Sequence, residues 1–200
     1  MLYEHHHTEG LVLRRLPIGE KDLLLSVFTR DFGRITAKVK SGQAIESKLR
    51  LHTTVGSLVE ITVIKSREMF RVVGLDSQAT SYRLKKDAES LAVVHGLVKL
   101  LSRMIVGEEE EQNIFCDIKT SFDLLDEASE LAKNEQSDFK KSVEVVVVAR
   151  ILTRLGYMPI DKNNQDLTKN KLDRDFVLDM IPNRRSTTGV INEAILVSGL

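Results

Sequence analysis

Apolar and polar residues alternate in short runs through the first eighty residues of the chain. Residues 10–16 open the pattern. In residues 22–29, Leu23, Leu25 and Val27 fall on one side and Leu24 and Phe28 on the other. Residues 34–40 alternate strictly, with Ile35, Ala37 and Val39 against Arg34, Thr36, Lys38 and Lys40. Residues 58–65 set Val59, Ile61 and Val63 against Glu60 and Thr62, and residues 70–75 form a fifth run. A strand has period two, so each run predicts a strand with two chemically separate faces. Asp31 to Gly33 reads as a turn. Residues 41–54 read as a long connection, rich in Ser and basic residues and poor in apolar ones. Five short strands in so short a span predict a small closed or nearly closed barrel.

The period then changes. Leu84, Ala88, Leu91, Val94, Val98, Leu101 and Ile105 recur at steps of three and four, the stripe of an amphipathic helix. Ile114, Ile118, Phe122, Leu125 and Ala128 form a second stripe. The acidic run 108–111 is expected in the first turn of that helix, where the helix dipole favours negative charge. Residues 134–138 are a polar break, and residues 139–155 predict a third helix. Its Val-rich centre, 143–148, has the periodicity of a buried strand, but Arg150, Ile151, Leu152 and Leu155 carry the pattern past strand length. Gly156 and Pro159 supply the stop. Residues 161–173 are polar and predict a loop. Residues 175–181 and 190–197 are short helical candidates. The fold class expected is α+β, with a five-stranded barrel over 1–80 followed by an all-α domain over 81–200.

Composition changes this picture little, and charge changes it more. The chain has 200 residues, 42% of them apolar, and 29 cationic against 29 anionic side chains. That zero net charge hides a dipolar distribution. Residues 1–82 hold 12 Lys and Arg against 9 Asp and Glu, whereas residues 83–141 hold 9 against 13. The outward side of the third strand is a row of cations with no acid among them, and Lys48 and Arg50 follow in the connection. Such a row suits a polyanion tracked along its backbone. It equally suits a solvated face that keeps an edge strand from aggregating.

No catalytic constellation emerges. Neither a P-loop nor a Gly-x-Gly-x-x-Gly turn is present. His5, His6 and His7 are adjacent near the amino terminus, but a metal site needs a shaped pocket and further ligands. His95 lies one position off the apolar stripe and is expected to pack. Cys116 is the single cysteine, so neither an intrachain disulfide nor a thiolate zinc cluster is available. With Asp117 beside it and no cation near in sequence, it is expected to be a buried, inert thiol. Glu20 and Asp22 are expected to close a turn and pair with Lys21 or Arg15. The opening residues lack the basic and apolar regions of a signal peptide, and no apolar run approaches the length of a membrane span. Phe32 is the aromatic residue placed for exposure, so little base stacking is expected.

Three strings carry a resemblance to a known family. They are Glu9-Gly10-Leu11-Val12-Leu13-Arg14-Arg15, then Gly19-Glu20-Lys21-Asp22-Leu23-Leu24-Leu25-Ser26-Val27-Phe28-Thr29-Arg30, then Phe32-Gly33-Arg34-Ile35. They resemble the amino-terminal segment of the bacterial recombination mediator family RecO. Lys40-Ser41-Gly42 and Ser47-Lys48-Leu49-Arg50 are similar to its following basic stretch. Leu155-Gly156-Tyr157-Met158-Pro159 is similar to the turn that ends a helix in its helical domain. The resemblance implies an oligonucleotide-binding (OB) barrel joined to helices. It implies a non-catalytic DNA repair and recombination mediator of the cytoplasm and nucleoid. Such a protein binds single- and double-stranded DNA without sequence preference, anneals strands, and helps load RecA with RecR and the carboxy-terminal tail of single-strand-binding protein. Many members carry four cysteines after the Leu-Gly-Tyr-x-Pro turn; none stands here, so no zinc module, metal or cofactor is carried over.

On this reading the DNA-binding candidates are Arg34, Lys38, Lys40, Lys48 and Arg50, with Arg14 and Arg15 as weaker ones. Arg150, Arg154 and Leu155, beside Ile151 and Leu152, are the candidates for holding an acidic partner tail, with Lys140 and Lys141 adding charge. The arginines equally suit ion pairs with Asp123, Asp126, Glu127 or Glu130. The alternative to a mediator is a barrel-plus-helices adaptor that binds proteins and has little affinity for DNA.

Overall fold

The computed structural model describes residues 4–40, 42, 52–66, 69–159 and 165–198. Five strands, β1 (His5–Ile18), β2 (Asp22–Thr29), β3 (Gly33–Val39), β4 (Leu58–Lys65) and β5 (Phe70–Ser77), close into a barrel in the order β1-β2-β3-β5-β4. The helices are α1 (Ala79–Leu84), α2 (Ala88–Met104), α3 (Gln112–Glu127), α4 (Lys133–Arg154), α5 (Gln165–Lys169), α6 (Arg174–Met180) and α7 (Arg184–Ser198), with a 3-10 turn at Ala128–Glu130. The chain divides into two compact units, 1–86 with 98–115 and 87–97 with 116–200.

The alternating pattern fills the barrel as its period requires. Val12, Leu23, Leu25, Val27, Ile35, Ala37, Val39, Val59, Ile61, Val63, Phe70, Val72 and Leu75 form one buried cluster. β2 and β4 have the bounds expected from sequence. β1 begins five residues earlier than its pattern, because His5 to Glu9 pair with Ile64 to Glu60 of β4. His5–His7 are therefore strand residues. Closure comes from a short parallel pairing of β3 with β5, Ala37 with Phe70 and Lys38 with Arg71. That contact joins residues more than thirty apart, and no local pattern announces it.

The segment after α2 lies on the barrel within the first unit. Gly33 adopts φ +58°, and a β-carbon there would sit 2.2 Å from the carbonyl oxygen of Glu109. Glycine is the one residue that meets both conditions. Phe28 stacks edge-to-face on Phe115 at 5.7 Å. The acidic run 108–111 precedes α3 instead of entering its first turn; Lys65 meets Glu108 at 3.0 Å. Phe32 is half-buried, packed on the barrel core and against the rings of His6 and Phe70. It offers no free stacking platform.

In the second unit the Val-rich segment is helical. α4 starts at Lys133, so it takes in the whole stretch 134–138 expected as a polar break, and it buries Phe139, Val143, Val146, Val147, Ile151 and Leu152. It packs on α5, α6 and α7. Gly156, φ +77°, ends it, with the Tyr157 N–H donating to the Leu152 carbonyl at 2.8 Å. Part of the expected loop 161–173 is the short helix α5; residues 160–164 lie outside the described residues. Cys116 and His95, expected inside, are exposed. Each sits at a helical position just off the buried stripe.

Candidate nucleic-acid interface

Strand register decides which cations share a surface. On the outside of β1, β2 and β3, one cross-strand row holds Arg14, Ser26 and Thr36, and the next holds Leu16, Leu24 and Lys38. Lys38 is paired in turn with Arg71 of β5. Lys40 follows β3 and is exposed. The face is thus a patch of Arg14, Lys38, Lys40 and Arg71 around two leucines, and Leu16 is 44% exposed.

A bulge between Val12 and Arg14 sets this arrangement. It takes Leu13 out of register, so that Arg14 pairs with outward Ser26 and Arg15 with inward Leu25. It is therefore Arg14 that is exposed on the patch, and Arg15 that is half-buried with the opposite parity. Bulges re-aim side chains in this way.

The expected cations differ in how they are engaged. Arg34 is tied down. Its Nη1 donates to the carbonyl oxygens of Ser102 (2.9 Å) and Ile105 (3.1 Å), and its Nε to Ser26 Oγ (2.9 Å). A cation that satisfies the last carbonyls of α2 is placed well against the helix dipole, so Arg34 is an anchor bordering the patch. Lys38 Nζ lies 2.8 Å from Asp22, a pairing that the sequence alone does not place. Lys48 and Arg50 lie outside the described residues. Arg71 comes beside Lys38 only through barrel closure, which no local pattern in the sequence announces.

A group of acids lies elsewhere on the barrel. Glu9, Glu60 and Asp76 align across β1, β4 and β5. With Asp31, Arg30, His7 and others they line a depression of about 470 Å³. Arg30 and Gln78 both reach Glu9 there.

In the second unit, Arg150 and Arg154 converge on one carboxylate. Arg150 Nη2 is 2.9 Å from Asp117 Oδ1, and Arg154 Nε is 2.8 Å from Oδ2. The partner is Asp117, not any of the four acids weighed above. Arg150 also donates to the carbonyl oxygens of Leu167 and Asn170, and is 5% exposed. Ile151 and Leu152 are fully buried. This end of α4 is an interior ion-pair cluster; Arg154 and half-buried Leu155 are its outer members. Lys140 is likewise inside, 2.7 Å from Asp87 and 3.5 Å from Glu89, while Lys141 is exposed. Burial alone would raise the Asp87 carboxyl, but hydrogen bonds from Lys140 and Ser90 outweigh it and hold that group below its usual range.

No group of three or more potential metal ligands occurs among the described residues, and none of the described helices is long and apolar enough to cross a membrane. The closed five-stranded barrel and its strand order define an OB-fold domain followed by helices. Residues 1–77 match the family described as Recombination protein O N terminal. The chain is 29% identical over 133 residues to the DNA repair protein RecO of Alkaliphilus metalliredigens, covering 66% of this chain and 51% of that protein. It is 22% identical over 152 residues to RecO of Acetivibrio thermocellus, covering 76% and 57%. With RecO of Caldanaerobacter subterraneus it shares 25% identity over 153 residues, covering 76% and 59%. The chain thus spans between about half and three fifths of the length of these relatives. Its resemblance to the RecO family is borne out, and these relatives are DNA repair proteins.

Proposed function

We propose that this chain binds DNA through the outer face of β1, β2 and β3, as a non-catalytic mediator of recombination. The observation that carries the reading is the segregation of charge around one barrel. Arg14, Lys38, Lys40 and Arg71 gather on one side, and Glu9, Glu60 and Asp76 on the other. Phosphate contact by such a patch is strong, salt-dependent and indifferent to sequence. Residues 1–80 are then the nucleic-acid-binding domain and 81–200 the helical domain. Lys48 and Arg50, outside the described residues, stay candidates for DNA contact in this reading, and Arg34 borders the patch.

The relatives are DNA repair proteins. In keeping with them, we assign the chain to strand annealing and to RecA loading together with RecR and single-strand-binding protein, in the cytoplasm and nucleoid. The tail of the latter docks on the helical unit, with Arg154 and Leu155 as the surface members of the candidate set and Arg150 holding them from within. The test is binding of a labelled oligonucleotide across a salt series. Each phosphate contact contributes roughly one unit to the slope of log affinity against log salt. Reversing Lys38 and Lys40 to Glu should weaken binding and flatten that slope by about two units. Full affinity in this variant would remove the face from the site. Absence of binding by the wild type at any salt would favour the protein-binding adaptor.

A further inference from the structure

Within the basic patch lies a depression of about 140 Å³, lined by Arg14, Leu16, Leu24, Ser26, Arg34 and Thr36. Its volume is that of roughly four or five waters, the scale of one small ring and far below a base pair. Leu16 and Leu24 face each other across β1 and β2 and supply an apolar wall. Ser26 and Thr36 supply hydroxyls in the adjacent row. The Ser26 hydroxyl oxygen accepts from Arg34 Nε at 2.9 Å, which leaves its own proton to donate. Arg34 is in turn fixed by two carbonyl oxygens at the end of α2, so the back of the depression is preorganised.

We infer that this depression receives one unpaired nucleobase, so that the patch takes single-stranded nucleic acid in preference to duplex. The inference rests on the DNA-binding reading above. The charge around the depression holds phosphates, with Arg14 at its rim and Lys38 in the row beyond. The apolar wall has no counterpart in backbone recognition. It fits the face of a base, and the Ser26 proton fits the carbonyl or ring-nitrogen acceptor that each base presents. A base inside a duplex shows neither its face nor its pairing edge. Single-strand binders usually provide an aromatic side chain for this purpose; here two leucines and a guanidinium stand in its place.

The experiment compares fluorescence anisotropy of the wild-type protein with a labelled oligothymidine and with an abasic oligomer of equal length and charge. The expected result is about five- to tenfold tighter binding of the base-bearing strand, the scale of burying part of one base face. Leu16→Ser removes half the wall at an exposed position, and Thr36→Met lays a longer side chain over the mouth. Each should abolish the difference between the two strands, while continued salt-dependent binding of the abasic oligomer shows that the variant is folded. Equal binding of both strands by the wild type overturns the inference and leaves the phosphate reading standing. A difference that persists in both variants overturns it too, since the base contact then lies elsewhere. Failure of the wild type to bind either strand overturns the DNA-binding reading itself.

Discussion

Asp117→Ala is the sharpest probe of the helical unit. The carboxylate is 5% exposed and is held by Arg150 and Arg154 from one face of α4. Removing it leaves the Arg150 guanidinium buried with only the carbonyl oxygens of Leu167 and Asn170 as partners. The Arg150 Nε is already a buried donor without an acceptor, so the site has no slack to compensate. Breaking a buried pair by deleting one partner costs about 3–5 kcal/mol, because the remaining charge is stranded. Arg150→Ala should cost a similar amount, since it also releases α5 from α4. Arg154→Ala should cost less, about 1–2 kcal/mol, because its side chain reaches water and Asp117 keeps Arg150. Replacing the buried pair by the double change Asp117→Leu, Arg150→Met should recover most of the loss. Urea unfolding followed by far-UV circular dichroism, dominated by the helices, measures all four. A cost below about 1 kcal/mol for Asp117→Ala, or an Arg154→Ala cost equal to that of Arg150→Ala, would refute the argument.

Three further outcomes are expected. Gly33→Ala should destabilise the first unit by at least about 2 kcal/mol, because the left-handed backbone and the Glu109 carbonyl both exclude a β-carbon; a thermal midpoint equal to wild type would count against it. The half-buried Glu144 carboxyl, against Gly96, is pushed above the usual glutamate range by loss of water. Its ionisation therefore opposes folding, so its contribution declines as pH rises from the ordinary glutamate pKa through the raised folded value. Glu144→Gln should accordingly raise the melting temperature at pH 7 and leave it unchanged near pH 4, and an equal gain at both would exclude ionisation as the cause. Asp22→Asn frees Lys38 from its ion pair, so oligonucleotide affinity at low salt should rise; unchanged or weaker binding would show that Lys38 does not reach the ligand.

Much of the barrel was legible because a strand buried on one face must alternate. β2 and β4 could be bounded to the residue, and the core residues of β2, β3 and β4 could be named, since period two leaves no freedom once one face is inside. The helices were legible by their stripes, less so at their ends, where polar residues such as those at 133–138 can open a helix as readily as break one. The basic row of β3 was legible for the same reason as its core. What each cation does was not. Lys38 is shared with Asp22, Arg34 is drawn to carbonyl oxygens some seventy residues on, and Arg150 turns inward to an acid thirty-three residues earlier. Arg14 and Arg15 fall on opposite faces by period two alone, but a bulge decides which of them faces out. Arg71 joins the patch only because β5 closes on β3. The sequence by itself determined which side of each strand is wet, because that depends on the local alternation of solubility. Only the tertiary structure decided which charges meet, because a long cationic side chain takes the acceptor nearest in space, and closure of the chain sets which one that is.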